Sequence, residues 1–141
     1  MSESPLPPNR QLQESDLSAH ITAGARENRF LEFKREYLPD SDPGKRKFLQ
    51  SISAFANSRG GDLILGMEED NGGAARLVPL AGVDPDQARL QIQNLIRVHL
   101  RPPLGGVQVE SVPLSSGGFV LVVRVPKSWA ARGGVRSGCW A

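Results

Sequence analysis

Six of the ten residues from Glu27 to Glu36 ("ENRFLEFKRE") are charged. Carboxylates and bases crowded together suit two chemistries: oxygen ligands for a divalent cation, or cations for a phosphate. Glu27 and Glu32 are five apart, which sets them on opposite faces of a continuous strand, so they meet only if the chain turns near Asn28. A third acid stands in Glu68, Glu69 or Asp70, at the end of a later apolar run. Three carboxylates converging at strand ends would hold Mg²⁺ or Mn²⁺, as metal-assisted phosphodiester hydrolysis requires. The plainer reading of the same acids is a solvated surface. The candidate phosphate contacts are Lys34, Arg35, the triplet Lys45, Arg46, Lys47, and Arg59. Gly60 and Gly61 in "NSRGGD" allow close backbone approach and exposed N–H groups, a cradle for phosphate. An ordinary helix C-cap explains the same two glycines.

Other chemistries lack material. A single cysteine, Cys139, excludes an internal disulfide, and His20 and His99 lie far apart with no cysteine near them, so no zinc pattern exists. Neither a Ser-His-Asp nor a Cys-His arrangement can be assembled. Neither GxxxxGK[ST] nor GxGxxG occurs, which removes the standard nucleotide loops. The net charge is only +2, but no acid follows Glu110, whereas Arg124, Lys127, Arg132 and Arg136 do. Such a basic end suits a polyanionic partner or a solvated tail. No apolar stretch has the length of a signal-peptide core or of a membrane span. A cytoplasmic protein without a membrane partner is expected.

The elements that would position these residues can be read locally. At 141 residues the chain fits one domain. Residues 1–14 are Pro- and Ser-rich and read as a disordered lead-in. "SDLSAHITAG" reads as a short helix with Ser15 as cap, Leu17 and Ile21 on one face and Gly24 as stop. A strand over Phe30 to Glu36 follows, with Leu31 and Phe33 on one face and Glu32 and Lys34 on the other. Asp42 and Pro43 open a helix whose stripe is Phe48, Ile52 and Phe55. "GDLILGMEED" reads as one central strand closed by a turn at Asn71-Gly72-Gly73. Asp84 and Pro85 open a second long helix, lined by Ala88, Ile92, Leu95 and Ile96 and stopped by Pro102 and Pro103. "GVQVESVPL" and "GGFVLVVRVP" form a hairpin around Ser115 to Gly118. The core order is β-α-β-α-β-β: an α+β fold with two helices on a mixed four-stranded sheet.

"ENRFLEFKRE" together with "ISAFANSRGGDLILGMEED" resembles the Schlafen-type AlbA domain, the second AlbA family. The family pattern is a Glu, four residues, Glu-Phe-Lys, a helix ending Ala-Phe-Ala-Asn, and a Gly-Gly strand ending in Gly, a hydrophobic residue and acids. It falls on Glu27, Glu32 to Lys34, Ala54 to Asn57, Gly60-Gly61 and Gly66 to Glu69, within a likeness over about residues 15–128. The resemblance implies an Alba-like fold, in agreement with the order above. It also implies a carboxylate site at Glu27, Glu32 and one of Glu68 to Asp70, Glu69 first among them, in those members that are nucleases. Other members carry DNA-binding, regulatory or ATP-binding labels. The ending "AARGGVRSGCWA" departs from the family pattern, so residues 129–141 read as a basic, disordered or truncated tail. The resulting expectation is a nucleic-acid-binding module for DNA or RNA, acting as a homodimer because one small lobe has a narrow footprint. The alternatives are a metal-dependent endoribonuclease, an ATP-binding domain and a protein-interaction domain.

Overall fold

Two proline-led caps start the long helices. The computed structural model describes residues 6–7, 11–28, 30–38, 41–100 and 106–127. Helix α2 (Asp42–Asn57) is capped by Ser41, whose hydroxyl accepts the Gly44 N–H at 3.1 Å. The cap is one residue earlier than expected, and Asp42 instead sits in the first turn, where the helix dipole favours an anion. Helix α3 (Pro85–His99) is capped as expected, Asp84 accepting the Gln87 N–H at 3.0 Å. Pro102 and Pro103 lie outside the described residues. The stripes Phe48, Ile52, Phe55 and Ala88, Ile92, Ile96 are buried, and Leu95 is half-buried beside them.

These stripes pack on one face of a four-stranded sheet, order β1-β2-β6-β5, built from β1 (Leu31–Lys34), β2 (Gly60–Leu65), β5 (Gln108–Pro113) and β6 (Phe119–Pro126). β1 runs parallel to β2, and the other neighbours are antiparallel. Leu63, Leu65, Leu121, Val123 and Val125 meet α2 and α3. Leu31, Phe33, Ile64, Val120 and Val122 point the other way, under α1 (Glu14–Thr22). With three helices on a mixed sheet, the fold is the expected α+β class. β2 is buried on both faces, which is why its sequence is almost unbroken in apolar residues.

Three local readings differ. The lead-in was expected to be disordered, yet Leu6 and Leu12 are buried, and the Leu12 N–H donates to Glu110 Oε1 at 2.9 Å. The sheet's second face is covered by the short helix α1 and by Met67 and Ala74, and the leucines of this segment join that cover. α1 starts at Glu14 rather than after Ser15, with the Gln13 N–H donating to Asp16 Oδ2. The run from Gly60 to Asp70 is two strands, not one. Gly66 (φ +107°) breaks it, because a Cβ there would meet Val120 and the Val78 carbonyl at 2.5 and 2.8 Å. β3 (Met67–Asp70) then leaves the main sheet and pairs antiparallel with β4 (Gly73–Leu77). Asn71 and Gly72 both have positive φ, as a two-residue hairpin turn of the type that matches strand twist requires.

Arg124 requires a correction as well. Grouped by sequence with a basic end facing a polyanion, it is instead nearly buried opposite Asp62 in the β2–β6 register. Its Nε lies 3.1 Å from Asp62 Oδ1, and Nη1 and Nη2 donate to the carbonyls of Pro7 and Leu6 at 2.6 and 3.3 Å. Register, invisible in a local window, decides this.

Candidate nucleic-acid interface

The alternation of β1 places Glu32 and Lys34 on the sheet face that looks toward α2. Glu32 Oε2 accepts the Ser51 hydroxyl at 3.3 Å and lies 3.4 Å from Lys34 Nζ. The turn required near Asn28 exists: Asn28 and Leu31 exchange backbone hydrogen bonds. It brings Glu27 Oε2 to 2.7 Å from the Phe33 N–H, on the outer edge of β1. Glu27 thereby satisfies a donor that an edge strand leaves unpaired.

The third acid does not join them. Glu69 and Asp70 are exposed on the β3–β4 hairpin, past an irregularity between Glu68 and Glu69. Glu68 is held by two arginines: Arg35 Nε at 3.5 Å, and Arg76 Nε and Nη2 at 3.0 Å. Among the described residues, no three His, Cys, Asp or Glu side chains stand close enough to hold a metal ion. As arranged here, Glu27, Glu32 and Glu69 therefore do not fit the three-carboxylate site that the resemblance implied. Glu27 and Glu32 are occupied by backbone, hydroxyl and ammonium donors instead.

The bases are placed differently. A cleft of about 1050 Å³ opens where the end of β1, the first half of α2, β3 and the start of α3 come together. Its charged lining is Lys34, Arg35 and Lys47 with Glu36, Glu68 and Glu69. Arg46 and Lys47 are exposed, and Lys45 is half-buried beside Tyr37 in a neighbouring groove against α3. The three basic residues of the triplet are the fourth to sixth residues of α2, where the effect of the helix dipole on a charge has largely faded. Tyr37 donates to Gln91 Oε1 at 2.7 Å, with the Ala88 carbonyl 3.1 Å away, and burial raises its pKa above the usual phenol value.

Arg59 and the glycine pair lie elsewhere. Arg59 is exposed just past the far end of α2, roughly 24 Å from its start by the rise of a 16-residue helix. Gly60 and Gly61 are buried in β2. Gly60 has φ +87° and a Cβ there would come within 2.5 Å of the Val125 carbonyl, while a Cβ on Gly61 would overlap the Phe55 ring. Strand pairing and helix packing account for both glycines. Arg76 was not singled out from the sequence. The Asn-Gly turn read as a regular hairpin would set Ala75 opposite Glu68, and the register irregularity between Glu68 and Glu69 is what brings Arg76 there instead.

The Schlafen, AlbA_2 family pattern matches residues 27–137, most of the chain. The chain belongs to this family. The AlbA_2 match begins at Glu27, after α1, and extends past the point where the sequence ending had read as divergent. Among solved structures, the chain resembles the N-terminal domain, determined by NMR, of a Nitrosomonas europaea protein related to the ATP-dependent DNA helicase RecG. The TM-score is 0.57 at 26% identity, over 83% of this chain and 74% of that one. A crystal structure of a Corynebacterium diphtheriae protein aligns at TM-score 0.47 and 21% identity, over 82% of this chain and 23% of that one. No curated protein matches the chain. No helix among the described residues is long and apolar enough to cross a membrane.

Proposed function

We propose that this AlbA_2 domain is a nucleic-acid-binding module whose phosphate contacts are Lys34, Arg35, Arg46 and Lys47, with Lys45 at the margin. The observation that carries the reading is the basic triplet on the first turns of α2, facing out beside a cleft that Lys34 and Arg35 also line. A polyanion is the partner that such a run of adjacent cations suits. Likeness to the N-terminal domain of a RecG-related protein supports the same reading. Arg59 stands apart and would touch only a ligand that runs the length of α2. A homodimer would widen the footprint of a single lobe.

The test is a binding titration with labelled single-stranded RNA and duplex DNA at about 50 and about 200 mM salt. With about four phosphates neutralised, the slope of log K against log salt is expected near −3 to −4. Replacing Arg46 and Lys47 with Gln should flatten the slope by one to two units and weaken every sequence alike. An absence of binding at low salt would sink the reading. Adding Mn²⁺ or Mg²⁺ to the RNA arm tests the endoribonuclease alternative. Cleavage that Glu32→Ala abolishes would establish it, through a rearrangement that gathers the acids.

A further inference from the structure

We propose that Arg35 and Arg76 form a phosphate-binding fork, and that Glu68 occupies it in the unliganded protein as an internal stand-in for the anion. The two guanidinium groups come from separate elements, the end of β1 and the β4 strand of the hairpin, and converge on one carboxylate oxygen. Arg35 Nε lies 3.5 Å from Glu68 Oε1, and Arg76 Nε and Nη2 lie 3.0 Å from the same atom. Each guanidinium has five N–H donors, so one shared oxygen leaves most of the fork's capacity for a ligand. The register irregularity between Glu68 and Glu69 re-aims the hairpin's side chains just where Glu68 enters the fork.

The energetics favour exchange over a permanent lock. The two arginine side chains are 56% and 65% exposed and the glutamate 36%. Ion pairs this wet are worth roughly 0–1 kcal/mol and weaken with salt. A phosphate brings several acceptor oxygens in the geometry that guanidinium groups match bidentately. Displacing Glu68 therefore costs little and yields more. Arg35 and Glu68 both line the cleft with Lys34, Lys47, Glu36 and Glu69, so a phosphate in the fork lies within reach of the proposed contacts Lys34 and Lys47. The inference rests on the nucleic-acid reading for the source of the phosphate, and the fork itself would accept phosphate from any source.

Glu68→Gln removes the competing charge and keeps the shape. Asp70→Asn removes the same charge from the same hairpin but outside the fork. In the titrations above, Glu68→Gln should bind nucleic acid roughly three- to tenfold more tightly than the unaltered protein. Its salt slope should be steeper by about one unit. Asp70→Asn should stay within about twofold, and adding Arg35→Gln and Arg76→Gln to Glu68→Gln should abolish the gain. A gain for Glu68→Gln no larger than for Asp70→Asn, or one that survives loss of both arginines, overturns the proposal even if nucleic-acid binding itself holds. If no variant binds nucleic acid, inorganic pyrophosphate decides by thermal shift. A melting temperature raised for Glu68→Gln, and not for its arginine-less triple variant, supports the fork while the nucleic-acid reading falls. No shift in either overturns both.

Discussion

Two arginine–carboxylate groups in this small domain do opposite work. Arg124 and Asp62 face each other across β2 and β6, with side chains 12% and 3% exposed and carbonyls of Leu6 and Pro7 accepting from the Nη atoms. Arg35, Arg76 and Glu68 meet at the mouth of the cleft with a third or more of each side chain in water. The contact distances overlap, at 3.1 Å for the first and 3.0 and 3.5 Å for the second. Solvent separates them. In the dry site each charge depends on its partner, so the group fixes structure. In the wet site water or a ligand can replace either partner, so the group can be used for binding.

The comparison breaks most visibly at Asp62. Asp62→Ala leaves a nearly buried guanidinium with two backbone carbonyls and Glu110 Oε2 at 3.9 Å as its remaining partners. Stripping one member of a buried pair costs on the order of 3–5 kcal/mol, enough to unfold a marginal domain. The double change of Asp62 and Arg124 to a well-packed apolar pair should recover most of that loss. Denaturant unfolding of both variants checks it. A loss below about 1 kcal/mol for Asp62→Ala would show that the site is wetter than described.

Gly61 comes second and separates packing from phosphate contact. Gly61→Ala drives a methyl into the Phe55 ring, an overpacking cost of typically 1–3 kcal/mol, with nucleic-acid affinity per folded molecule unchanged. Reduced affinity with unaltered stability would return the glycine pair to the binding face. The sequence left this choice open because a Gly-Gly pair looks the same under both readings. What was legible was local: caps with proline behind them, stripes at three and four, and a strand apolar on both faces. What was not legible depends on pairing at a distance. Arg124 meets Asp62 across 62 residues of chain. The cover supplied by Leu6 and Leu12 and the Arg76–Glu68 pair likewise depend on which strand lies beside which. The acidic motif illustrates both halves, since the turn at Asn28 brought Glu27 to β1 as anticipated, whereas the kink at Gly66 carried Glu68 and Glu69 off with the hairpin.

A third effect depends on pH. His20 on α1 is buried on the same side as Asp62, its Nε2 without a hydrogen-bond partner among the described residues. Burial lowers its pKa, an effect opposed by its hydrogen bond to the Asp16 backbone and by the charges of Asp62 and Asp16. Because the unfolded chain takes up the proton at higher pH than the folded one, stability is full above the unfolded value of about 6.5 and falls as pH drops below it. His20→Leu should flatten the decline in melting temperature between pH 7 and pH 5. An equal decline in both proteins would assign the acid sensitivity to the carboxylates.

The smallest effect completes the comparison. Glu68→Gln removes charge from a site that water already enters, and the amide oxygen still accepts from either arginine. Exposed ion pairs contribute roughly 0–1 kcal/mol, and the side chain stays in place, so the loss should not exceed about 0.5 kcal/mol. For a domain of this size that is about 2 °C in melting temperature. A strand change cannot mask the result, because Gln tolerates an extended backbone. A drop of 1.5 kcal/mol or more would mean that Glu68 holds the hairpin as Asp62 holds the sheet. In that case the arginines at the cleft are structural, and a ligand could enter the fork only by loosening the fold.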